Sequence, residues 1–260
     1  MFDAHAHYHL AEPPEQVAAL AANLQGVGLM ATGDGDWDKA TVASEAAPNA
    51  RLMLGVHPWF AHRYEGPHAR AEHAGWLDDL RRRVTSRPGT CVGEIGLDRQ
   101  WRTPDTGEVE FESQLAVFRA QLGLAAELQL PVCVHCVRAQ GHLAEALAAA
   151  PALPPAIYMH AFGGTQGTLE QLSRSKKYGD RVYFGFAACV NLRSPKTPGV
   201  IAAVPDDRLL LESDREACGA VEAELAEMAG VYAAAKGWSP EECVRRTTEN
   251  AERFYGCSER

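Results

Sequence analysis

Short apolar runs of strand length recur along the chain at residues 28–32, 52–56, 91–95, 131–135, 157–160, 182–184 and 209–212, with residues 1–4 read as the first member of the set. The stretches between them carry the period of helices. Phe111, Leu115, Phe118, Leu122 and Ala125 recur at steps of four and three before Pro131, and Val221, Leu225, Met228 and Tyr232 repeat the spacing. A further helix opens at Ser239-Pro240-Glu241-Glu242, where Ser239 suits the cap, Pro240 the first turn and Glu242 the return half of a capping box. Connections this long do not make hairpins, so the alternation predicts parallel strands joined by right-handed crossovers.

A closed barrel and an open doubly wound sheet both satisfy that pattern. Neither G-x-G-x-x-G after the first strand nor G-x-x-x-x-G-K-[ST] is present, which favours the barrel. Length agrees, since the 260 residues lie close to the ~250 typical of an eight-fold α/β barrel. No fixed-period repeat and no Ser/Gly linker divides the chain, so the expectation is α/β, a (β/α)8 TIM barrel forming one domain over residues 1–260.

Composition narrows the setting. The chain is 46% hydrophobic and 23% charged, an ordinary globular balance without a low-complexity tail. Seven cysteines, an odd number running from Cys91 to Cys257, and a polar, His-rich start without a signal-peptide pattern point to a reducing compartment. No apolar run approaches the ~20 residues of a membrane span. A soluble, cytoplasmic protein is expected, with the nucleus left open. Its net charge of -9 means that the molecule as a whole does not attract a phosphate backbone.

The chemistry collects at the ends of the apolar runs. His5 and His7 end the first, His57 follows Val56, Glu94 interrupts the run beginning at Cys91, His135 and His160 end two more, and Asp214 follows the last. In a parallel barrel those ends converge on one face, where active sites of this fold are built. His5 and His7, two apart on a strand, place both rings on one side, with Asp3 on the same face. Taken singly, each residue has a plain structural use: an exposed His pair, an ion pair for Glu94, core histidines, a helix cap for Asp214. Together, four histidines and two carboxylates suit two divalent ions, with Glu94 long enough to bridge. Cys133 and Cys136 lack the second cysteine pair of a zinc finger and are assigned to packing. Arg81-Arg82-Arg83 reads as a solvated helix face, and Trp59 and Phe60 either line a substrate mouth or pack their loop.

The segments Asp3-Ala4-His5-Ala6-His7, Gly55-Val56-His57-Pro58, Gly93-Glu94-Ile95-Gly96-Leu97-Asp98, Val134-His135, Met159-His160-Ala161-Phe162-Gly163-Gly164, Glu212-Ser213-Asp214 and Thr248-Glu249-Asn250-Ala251-Glu252-Arg253-Phe254 resemble, in order, those of the TatD family of metal-dependent hydrolases, within the amidohydrolase-like barrels. The resemblance implies a two-metal centre with His5, His7 and Asp214 on one ion, His135 and His160 on the other, and Glu94 between them. It also implies hydrolase activity, many members being deoxyribonucleases that trim DNA from a 3′ end. Departures fall at the rim: Tyr8-His9-Leu10 follows His7, Cys136-Val137-Arg138 follows His135, and no Pro stands two places after Asp214.

The leading expectation is therefore hydrolysis of a phosphodiester by water activated between two divalent ions, zinc, manganese or magnesium. Asp214 would take the proton, while His57 and Arg138 would hydrogen-bond the phosphate. The net charge restricts the substrate to short or single-stranded DNA ends, and no obligate protein partner is evident. An amidase or lactonase would use the same activated water, but its relatives often bridge their metals with a carboxylated Lys. Lys39, Lys176, Lys177, Lys196 and Lys236 all lie outside the apolar runs. A non-catalytic binding or scaffold barrel would be expected to have lost ligands, and all six are present.

Overall fold

In the computed structural model, which describes residues 1–256, each apolar run becomes a strand of one eight-stranded sheet. The strands are β1 (Phe2–Ala6), β2 (Gly26–Met30), β3 (Ala50–Leu54), β4 (Cys91–Asp98), β5 (Val132–Val137), β6 (Ile157–Met159), β7 (Val182–Ala187) and β8 (Leu209–Glu212). They lie side by side in sequence order, every neighbouring pair parallel. The sheet curls until its edges meet. Just beyond the strand ends, Asp214 N donates to His5 O at 3.0 Å and His7 N to Arg215 O at 2.8 Å. This is the (β/α)8 barrel that the strand–helix alternation predicts.

Helices follow every strand: α1 (Pro14–Ala21), α2 (Trp37–Ala46), α3 (Trp76–Ser86), α4 (Phe111–Leu128), α5 (Gln140–Ala149), α6 (Gln166–Ser173), the pair α7 (Ala188–Asn191) and α8 (Thr197–Ala203), and then α9 (Val221–Lys236) and α10 (Pro240–Tyr255). Helices outside and side chains inside bury the strands on both faces, which is why the sequence shows unbroken apolar runs instead of alternation. Ser239 caps α10 as expected, its Oγ accepting from Glu242 N at 3.1 Å. The return half of the box is replaced by an ion pair one turn on, where Arg246 Nε donates to Glu242 at 2.8 Å. Arg81, Arg82 and Arg83 each meet an acid, Glu127, Asp79 and Asp38 respectively, as a solvated face should.

The core has two parts. A larger one fills the space between strands and helices. A smaller one occupies the barrel interior, where Met30, Met53, Cys133 and Tyr158 meet Phe254 and Tyr255 from the end of α10. The Tyr255 hydroxyl donates to Ala4 O at 2.8 Å. Gly28 leaves the room this hydroxyl needs, since a Cβ there would lie 2.1 Å from the Tyr255 hydroxyl oxygen. The six described cysteines are unbridged, and Cys257 lies outside the described residues. Among the described residues no helix is long and apolar enough to cross a membrane.

Candidate metal centre

Residues two apart on a strand share a face, so the interior packing continues directly into the site. Cys133 sits below His135, Tyr158 below His160 and Glu212 below Asp214. This floor carries a cluster centred on Glu94, which is 1% exposed. Its Oε1 lies 2.7 Å from His160 Nε2, 3.1 Å from His135 Nδ1 and 3.3 Å from His57 Nε2. Its Oε2 lies 3.2 Å from His7 Nε2 and 3.5 Å from His5 Nε2. Asp214 Oδ1 closes the other side, 3.5 Å from His5 and 3.8 Å from His7. Of the residues expected from sequence, His5, His7, His57, Glu94, His135, His160 and Asp214 therefore converge. Arg138 stands apart, exposed at the end of β5 with a φ of 51° and outside the residues that line the cleft.

The second nitrogen of each ring decides what the first can do, because a neutral imidazole has one donor and one acceptor. His7 Nδ1 donates to Met30 O at 2.7 Å, which leaves the Nε2 lone pair facing the cluster. His135 Nε2 faces Asp98 Oδ2 at 3.2 Å, leaving Nδ1 as its free lone pair. His5 Nδ1 lies 3.2 Å from Cys133 Sγ, a thiol where such rings more often meet a carbonyl or carboxylate. His57 is the reverse case. Its Nδ1 accepts the backbone amide of Trp59 at 3.2 Å, so the proton of the neutral ring sits on Nε2. His57 is thus built as a donor beside the cluster, while His7 and His135 present lone pairs to it.

Donor groups so arranged fit metal. Three sets of ligand atoms lie mutually within 4.8 Å: His5, His7 and Asp214; His5, Glu94 and His160; His57, Glu94 and His135. His5 and His7 bring their Nε2 atoms to 3.1 Å, and His5 and His160 stack at 3.8 Å. Such crowding of nitrogens is relieved by a cation between them.

Charge follows burial and neighbours. Burial opposes the Glu94 carboxylate, but His160, His57, His5 and His135 outweigh it and hold its pKa well below the usual range. Burial also opposes protonation of His7 and His135; hydrogen bonds donated to carboxylates prevail, Glu94 for the first and Asp98 with Glu94 for the second, and raise each to about 9. Cation binding at those rings must release protons. For His57 burial wins and the pKa falls to about 4, so it is neutral at ordinary pH. Burial lifts Glu212 to about 8, making it a neutral acid that holds Tyr158 and the amide of Ala161.

Asp98 enters the site without a role assigned from sequence, although it lies on β4 with Glu94, four residues on, a signal that strand periodicity offers. Besides facing His135, it accepts Trp59 Nε1 at 2.9 Å and the amides of Gln100 and Trp101 at 2.7 and 2.9 Å. Trp59 in turn stacks on Trp101 at 4.2 Å. Asp3 shares β1 with the two histidines but turns to β8, accepting Tyr8 OH and both the amide and hydroxyl of Ser213, at 2.9 and 2.6 Å. The cleft above the cluster measures about 470 Å³, and Leu10, Trp59, Phe60, Cys136 and Val190 are among its walls. Cys136 therefore reaches the cleft, whereas Cys133 packs below.

The chain matches the TatD related DNase family over residues 2–256. It is 34% identical to the 3′-5′ ssDNA/RNA exonuclease TatD of a Pantoea species, over 78% of this chain and 74% of that protein. It is 25% identical to Cut9-interacting protein scn1 of Schizosaccharomyces pombe, over 96% and 97% of the two chains. In fold it is similar to YJJV, a TatD homolog from Escherichia coli, with a TM-score of 0.75, 24% identity and coverage of 98% and 97%.

Proposed function

The chain belongs to the TatD-related DNase family, and on that footing we propose that it is a divalent-metal-dependent phosphodiesterase that trims short or single-stranded DNA from its 3′ end. The observation that supports this most is the buried Glu94 carboxylate, ringed by imidazole nitrogens at 2.7 to 3.5 Å. Two divalent cations, zinc, manganese or magnesium, held by His5, His7 and Asp214 and by His135 and His160 with Glu94 between, would supply Lewis acidity, an activated water and concentrated positive charge for a phosphate.

The protein's own groups do the rest. Burial, with the charge of Glu94, raises the Asp214 carboxylate above its ordinary pKa, against the pull of His160 and His7. At the mouth of the cluster it is the base that accepts the proton of the attacking water. His57 Nε2–H, fixed as a donor by the Trp59 amide, hydrogen-bonds the phosphoryl oxygen. Leu10, Trp59, Phe60 and Val190 seat the terminal base and exclude water. Arg138, exposed at the end of β5, serves a phosphate outside the cleft.

Wild type and Glu94→Ala are to be compared on labelled single-stranded DNA, bis(p-nitrophenyl) phosphate and a lactone panel under defined metals. The substitution should lower diester turnover roughly 10³-fold, equivalent to about 4 kcal/mol. Full retention of activity would remove the two-metal reading, and robust lactone cleavage without diester cleavage would replace the nuclease by a carbon-centre hydrolase.

A further inference from the structure

The cleft over the metal cluster is equipped for one phosphate only. Its lining contains neither Lys nor Arg, and its one acid besides Glu94 and Asp214 is the exposed Glu216. Of the two arginines next in sequence to its lining, Arg215 is engaged with Glu224 at 2.5 and 2.7 Å, and Arg138 stands exposed outside the cleft. With a net charge of -9, nothing in the molecule's overall field holds the rest of a polyanionic strand. Any further phosphate contact must come from a local feature beside the cleft.

Such a feature adjoins it. A groove of about 670 Å³ shares Val190 with the cleft and runs between the loop after β6 and the turn that joins α7 to α8. Phe162 and Phe186 line it, and Arg193 and Lys196 stand exposed along it. Among the described residues neither cation has an ion-pair partner, in contrast to Arg81, Arg82, Arg83 and Arg215.

The turn that carries them is held in place from beneath. Asn191, 6% exposed, donates from Nδ2 to Phe162 O at 3.0 Å and accepts Ala187 N on Oδ1 at 2.8 Å. Its carbonyl accepts the Thr197 hydroxyl at 2.7 Å and the Ser194 amide at 3.1 Å. One buried amide thus ties the end of β7, the loop after β6 and the cationic turn together. Two uncompensated cations on a preorganised turn, next to a cleft that has none, form a site for anions.

We propose that this groove binds the strand next to the scissile phosphate, with Arg193 and Lys196 on its adjoining phosphates while the terminal nucleotide occupies the cleft. The assignment rests on the nuclease reading above, and its ligand is the backbone of single-stranded DNA.

The test compares wild type with the R193A/K196A double variant, using two probes. Binding of a fluorescein-labelled single-stranded 12-mer is followed by anisotropy in the presence of chelator, so that no turnover intervenes. Hydrolysis of the same oligomer and of bis(p-nitrophenyl) phosphate, which offers a single phosphate, is followed with metal. The variant should bind the oligomer roughly 10-fold more weakly at low salt, with the slope of log Kd against log salt reduced by about 1.4. Its KM for the oligomer should rise with kcat retained, and kcat/KM for bis(p-nitrophenyl) phosphate should not change. Unchanged oligomer binding and KM overturn the groove and leave the nuclease reading intact. Loss of bis(p-nitrophenyl) phosphate turnover also overturns it, by placing the effect in the cleft. A wild type that cleaves neither diester overturns the nuclease reading, and the anisotropy comparison still decides the groove.

Discussion

Every group around the Asp98 carboxylate is a donor: Trp59 Nε1, the amides of Gln100 and Trp101, and His135 Nε2. An amide offers one acceptor oxygen, so Asp98→Asn must turn its NH2 toward donors and disturb the orientation of His135. The variant should lose roughly 10- to 100-fold in metal affinity, read by calorimetric titration, with a comparable fall in kcat/KM; unchanged affinity would detach Asp98 from the site. His5, His7, Glu94, His135, His160 and Asp214 were legible because each ends or interrupts an apolar run. The function of Asp98 was not, because its meaning lies in a ring on the neighbouring strand. The tautomer of His57 was equally hidden, since its determinant is a backbone amide, and an amide has no letter in the sequence.

At the level of elements, strand existence and order were readable and strand ends were not. β2 and β3 begin and end two residues before the runs expected at 28–32 and 52–56, whose late ends were set by buried Ala31 and Val56, which continue the apolar signal past the ladder. β4 runs three residues beyond its expected end, through Gly96, whose φ of 150° and approach to β5 admit only glycine. A Cβ there would lie 1.9 Å from His135 O. The turn from β2 into α2 is fixed by Asp36, which accepts the amide and hydroxyl of Thr32 and the amide of Gly33. Burial opposes its charge, but His9 and Thr32 outweigh that and lower its pKa below the ordinary 3.8. A depressed folded pKa contributes stability that is present above the unfolded value and lost as pH falls through the folded one. Asp36→Asn should therefore cost on the order of 2 kcal/mol at neutral pH. The gap from wild type should narrow as pH drops below 3.8. Urea melts across that range check the sign, and a gap that widens in acid would refute it.

The whole molecule depends on closing its first strand onto its last, a contact between Asp3 and Ser213 that spans 210 residues of chain. Asp3→Ala leaves the Tyr8 hydroxyl and the amide and hydroxyl of Ser213 without their buried acceptor. The cost should be about 3 kcal/mol, lowering Tm by roughly 6–12 °C in a thermal melt; a Tm within a degree or two of wild type would mean the seam is held elsewhere. No local pattern announces that seam, because an Asp near one end of a sequence and a Ser near the other carry no mark of adjacency. It also sets a timetable. The ring behind Ala4, Tyr255, and the carboxylate beside His5, Asp214, are translated long after the histidines they support. On the ribosome, His5 and His7 emerge without floor or partner, and take their places in the cluster only after Asp214 and Tyr255 have been added to the chain.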